Sequence, residues 1–133
     1  MLETLHATPI VIYGPLVGNL LLAIVAAAYA VARRPLPAWF WIATVAVLVV
    51  LAVQIAAGVA MYLGGARPRR GLHAVYGICV MIAGVAQYGL RPRGFLRRSY
   101  ADELARSDAR ILGLICLTQF ALIARAWMTG AGR

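Results

Sequence analysis

LPAWFWIATVAVLVVLAVQIAAGVAMYLGGA, residues Leu36–Ala66, decides the fold: it runs for 31 residues without a charged side chain. About 20 helical residues cross a hydrocarbon core of about 30 Å, so a helix built from this stretch spans a bilayer with length to spare. Charge-free runs on either side repeat the pattern at Ile10–Ala32, Gly71–Leu90 and Ile111–Ala124, the last continuing past Arg125 to Met128. A backbone in lipid must satisfy its own hydrogen bonds, and the alternating short segments of a barrel are missing, so the runs read as helices. The expected fold is an all-α membrane protein: an antiparallel bundle of four transmembrane helices in one domain, with spans at about 8–32, 37–64, 71–90 and 110–129.

Composition agrees with that solvent. Of the 133 residues, 63% are hydrophobic and 13% charged, far from the balance of a water-soluble domain. No hydrophilic stretch is long enough to fold separately outside the membrane. A net charge of +9 would point to nucleic acid in a soluble protein. Here the arginines lie at helix ends and in connections, so the partner they imply is lipid and no nucleic acid is expected. The first apolar run is longer than a leader's core and has no basic residue before it, so it reads as a retained span.

Arginine also orients the chain. The first connection carries Arg33 and Arg34, and the third carries Arg91, Arg93, Arg97, Arg98, Arg106 and Arg110. Arg67, Arg69, Arg70, Arg125 and Arg133 belong to the opposite side, so the excess of basic residues inside predicts both termini outside a bacterial-type inner membrane. Trp39 and Trp41 would anchor the inner interface and Trp127 the outer one. The third connection has two readings: a short amphipathic helix starting near Ser99–Asp102, or an arginine-rich solvated turn.

Polar residues inside the spans are expensive in lipid and mark structure or function. Asn19, Gln54 and Gln119 are expected to hydrogen-bond between helices, with contact to a quinone the second reading. Cys79 and Cys116 read as packing residues. Gly14, Gly18, Gly58, Gly77 and Gly84 allow close helix approach, or give a flat ligand room. Pro15 should bend the first helix.

His6 and His73, the two histidines of the chain, are the most informative pair. Each lies about one turn into a span, and the first and third spans run in the same direction in an up-down bundle. Both should therefore lie near the outer end, on diagonal helices, as two imidazoles must to ligate one haem iron. Arg67, Arg69, Arg70 and Arg125 come to the same end and would meet the haem propionates, or in the case of Arg125 snorkel to the interface. His73, Tyr76, Gly77, Val80, Gly84 and Gln87 share one face of the third helix. The cofactor expected is haem b. With so little mass outside the membrane, electrons would be exchanged with a quinone, partner membrane subunits or further copies of the chain. The other reading is a cofactor-free subunit that fills a groove in a larger complex. A transporter is disfavoured, because no carboxylate or pair of broken helices falls within the spans.

Two motifs add a resemblance. Val53-Gln54-Ile55-Ala56-Ala57-Gly58, followed after a short connection by Leu72-His73, resembles the Gln-x-x-x-Gly helix and Leu-His of haem A synthases, and Glu3-Thr4-Leu5-His6 resembles that family's Glu-x-x-His. The likeness covers roughly the first 90 residues. It implies His6 and His73 as the axial pair of a haem, a catalytic role for Glu3, and an oxidoreductase that modifies haem.

Overall fold

The computed structural model describes residues 8–66 and 71–130, with 101–107 by their backbone alone. Four helices account for nearly all of them: α1 (Pro9–Val31), α2 (Ala38–Leu63), α3 (Leu72–Gly89) and α4 (Ala101–Gly130). Each contains a segment long and apolar enough to cross a membrane, which in α4 is Asp108–Gly130. The 18 residues of α3 rise about 27 Å, the shortest of the four.

Helix ends follow local chemistry. Pro9 opens α1, where its missing N–H costs nothing, and the Thr8 carbonyl accepts the first helical bonds. Extended Pro37 opens α2 in the same way. At the far end of α1 the Arg34 N–H reaches back to the Tyr29 carbonyl, with Arg33 at φ 52°. Gly65, at φ 95°, closes α2 through the matching bond from Ala66 to Met61. Both turns satisfy carbonyls that a helix end leaves bare.

The third connection settles into a tight turn followed by helix. The Gly89 carbonyl accepts the N–H groups of Leu96 (3.0 Å) and Arg97 (3.2 Å), and α4 then begins at Ala101. Of the two readings of this connection, helix or solvated turn, the chain has a turn and then helix, with Ala101–Asp108 running unbroken into the last span. No proline or glycine interrupts the chain between Gly94 and Gly113, and good helix formers fill the junction.

α4 is the hub, packed along both α1 and α3, while α2 packs on α1 and least closely on α3. Residues early in α1 meet residues late in α4: the Tyr13 and Trp127 rings lie 6.1 Å apart. Farther along α1, Ala26 lies against Gly113. Gly18 sets the α1–α2 approach, because a Cβ there would come within 2.5 Å of a Val47 methyl. One core cluster joins Leu22, Ala23 and Ala26 to Phe40, Leu90, Leu112 and Cys116. A smaller one, Leu51, Val80 and Ile123, lies nearer the His73 end. Large apolar side chains such as Ile42 and Ile82 point outward, 71% and 61% exposed, as a surface solvated by lipid requires.

Candidate functional site

Two groups of polar side chains stand out against this apolar background, one inside the bundle and one at its end. Inside, Asn19, Gln87 and Gln119 are fully buried. Pro15 supplies no N–H within α1, and its carbonyl accepts from Asn19 Nδ2 at 2.8 Å. A carbonyl can only accept, so Asn19 Oδ1 is the atom turned to α3, where Gln87 Nε2 donates to it at 2.8 Å. The same Nε2 approaches Cys116 Sγ at 3.2 Å. One amide thus ties α1, α3 and α4 together. Gln119 Nε2 donates to the Val80 carbonyl at 3.0 Å, a second link between α4 and α3. The expectation of interhelical bonds for Asn19 and Gln119 describes what is observed. Gln87 carries the largest share, although helical spacing had grouped it with His73. Its Oε1 and that of Gln119 are buried acceptors without a donor among the described residues.

At the other end, His73 Nδ1 lies 2.8 Å from the Ala126 carbonyl in the last turns of α4. Since that oxygen accepts, Nδ1 is the donor, and in the neutral ring Nε2 then carries the lone pair. Among the described residues nothing occupies Nε2. The ring rests on α4 because Gly130 lacks a side chain there: a Cβ would stand 2.8 Å from Nδ1 and Cε1. His73 therefore engages α4, a contact that sequence did not name; His6, expected to face it, lies outside the described residues. Sequence gives no sign of the contact, since it depends on how α3 and α4 are turned against each other.

Arg125 is exposed on the α3–α4 seam, its guanidinium carbon 6.0 Å from the centre of the half-buried Tyr76 ring. A Cβ at Gly77 would meet nothing within 4 Å. Separately, a shallow apolar groove of about 490 Å³ runs along α2 against Met81 of α3, lined by Ala52, Ile55, Ala56, Val59, Ala60, Leu63 and Met81. The end that carries His73 is therefore open between two of its helices. Glu3, His6, Arg67, Arg69 and Arg70 lie outside the described residues. Among the described residues no three metal-ligating side chains cluster, and both cysteines are free thiols.

A histidine that binds iron through one nitrogen almost always donates its other N–H to a carbonyl or carboxylate, which fixes the ring and makes it a better ligand. His73 has that arrangement. Its chemistry fits one axial position of a haem, and Gly77, one turn along the same helix, has open space beside it.

No family model matches the chain, and no curated protein or solved structure matches it.

Proposed function

We propose that this chain holds one b-type haem and passes electrons within or beside a respiratory or photosynthetic assembly in a bacterial-type inner membrane. The observation that carries the reading is the hydrogen bond from His73 Nδ1 to the Ala126 carbonyl, which leaves Nε2 as a ligand atom on a held ring. The helices alternate in direction, a reading supported by the contacts of Tyr13 with Trp127 and of Ala26 with Gly113 along α1 and α4. Along α3 and α4, His73 meets Ala126 while Val80 meets Gln119.

With that alternation His6, three residues before Pro9, belongs to the same end as His73 and completes the axial pair. Arg67, Arg69, Arg70 and Arg125 receive the propionates, and Tyr76 and Gly77 bound the haem edge. A bound haem supplies a one-electron couple; the chain binds it, orients it and keeps water away. The excess of arginine in the first and third connections faces the cytoplasm and leaves both termini outside.

The test is the reduced-minus-oxidised absorption spectrum of protein purified in detergent. A haem b signal is expected, lost in His6→Ala and His73→Ala. Protein that stays colourless after loading with haem would sink the proposal. If the resemblance to haem A synthases extends to chemistry, Glu3→Gln binds haem normally but no longer yields a modified one.

A second reading has its own observation. The groove beside Ala52, Ala56 and Ala60 lies on the weakly packed side of the molecule, where a helix of a larger complex would fit. This cofactor-free role predicts that the double variant His6→Ala/His73→Ala keeps its partners and its cellular function.

A further inference from the structure

At the end of the molecule opposite His73, two arginines of one turn have different fates. Arg97 is used by the protein itself: it donates to the Leu90 carbonyl at 2.8 Å, pairs with Asp108 at 2.9 Å and lies 5.5 Å from the Trp41 ring. Arg91 lies flat on Tyr88, its guanidinium carbon 3.5 Å from the ring centre. Its Nη1 is buried and has no acceptor among the described residues. A stacked guanidinium keeps its donors in the plane of the fork, so the charge is held in place, with no ion pair among the described residues.

The surroundings say what would compensate it. Arg33, Arg34, Arg93 and Arg98 are all exposed. Arg33 and Arg93 sit at φ 52° and 64°, in turns fixed by backbone bonds. Across the first and third connections eight arginines face three acids, Asp102, Glu103 and Asp108, and Asp108 is already paired with Arg97. Trp39, Phe95 and Tyr100 are half exposed or more, at the level where the apolar spans end. Aromatic rings beside arginines at that depth are the signature of a headgroup layer.

We propose that Arg91, on its Tyr88 platform, forms with the neighbouring arginines a binding site for the phosphate of an anionic phospholipid. Of the anions available to a membrane protein, the lipid phosphodiester is the one anchored at this depth, with acyl chains that cover the exposed face of Tyr88. A soluble acidic protein would have no use for the exposed rings.

Full-length protein is purified in detergent, offered equal amounts of phosphatidylglycerol and phosphatidylcholine of the same chain length, and examined by native mass spectrometry. The wild type should retain phosphatidylglycerol preferentially. Arg91→Ala should weaken that retention about tenfold, the size expected for losing a charge-assisted bidentate bond. Arg91→Lys and Tyr88→Leu keep the charge but lose the fork or its platform, and should each weaken it about threefold. They also keep the site testable if Arg91→Ala fails to fold. Equal retention of the two lipids by the wild type, or unchanged selectivity in Arg91→Lys and Tyr88→Leu, would overturn the proposal. So would displacement of the lipid by millimolar inorganic phosphate, which would mark a site for a free anion, or tighter binding of a poly-glutamate peptide than of phosphatidylglycerol.

Discussion

The two halves of this molecule are built differently. Toward Arg97 the bundle is closed: Asn19, Gln87 and Cys116 bond across three helices, Leu112 and Phe40 have no exposed surface, and the turn after α3 is clipped to α4. Toward His73 α2 and α3 part, leaving the groove beside Met81, and there is empty space at Gly77. Lipid tails are as apolar as leucine, so no hydrophobic force draws spans together; small residues and hydrogen bonds must do it. Where the sequence supplies them between helices the bundle closes, and α2 and α3, the least closely packed of the neighbouring pairs, stay apart.

The largest test of this contrast removes its centre. Gln87→Ala leaves Asn19 Oδ1 without a donor and opens a hole in the closed half, costing about 3 kcal/mol in detergent unfolding. A loss under about 1 kcal/mol would mean that the polar layer is incidental to closure. Next in size is Gly18→Ala. Its new methyl overlaps Val47, so α1 and α2 must separate, at about 1–3 kcal/mol. An unchanged melting temperature would show the approach to be soft.

How much of this was legible follows the same division. The spans could be read because lipid selects composition directly, with no long-range geometry involved. Asn19 and Gln119 could be assigned to interhelical bonds because an unpaired amide in lipid is costly wherever its partner lies. Their partners could not be read. Whether Gln87 meets Asn19 depends on the rotation of α3, and whether His73 meets Ala126 depends on the rotation of α4 and on Gly130 lacking a side chain. Arg97 read as one more membrane anchor, since its pairing with Asp108 requires a turn whose path is set by Arg93 at positive φ and by the Gly89 carbonyl. At the His73 end, sequence singled out His73, Tyr76, Gly77 and Arg125; the structure adds the orientation of the His73 ring.

The clip itself is worth less than the interior. Arg97→Ala loses an ion pair whose side chains are 27% and 21% exposed, together with a bond to a backbone carbonyl, and should cost about 1 kcal/mol. Asp108→Asn keeps a neutral acceptor and should cost about half that, both costs shrinking in about 1 M salt as screening shortens to about 3 Å. Equal costs at all salt concentrations would mean that packing against Trp41, and not charge, holds the turn.

The smallest effect belongs to the open half, and there a small number is the informative result. Met81 lines the groove and is 46% exposed, so shortening it removes contacts that lipid or detergent chains can replace. Met81→Ala should therefore change stability by about 0.5 kcal/mol or less, against about 3 kcal/mol for Gln87→Ala six residues along the same helix. The ratio matters more than either value, because helix propensity is nearly the same for the two changes and cancels. If haem or a partner helix fills the groove, the ratio should fall when Met81→Ala is measured in the loaded protein, since the side chain then has a partner to lose. A ratio near one in unloaded protein would mean that the groove is closed in solution and that the two halves do not differ as described.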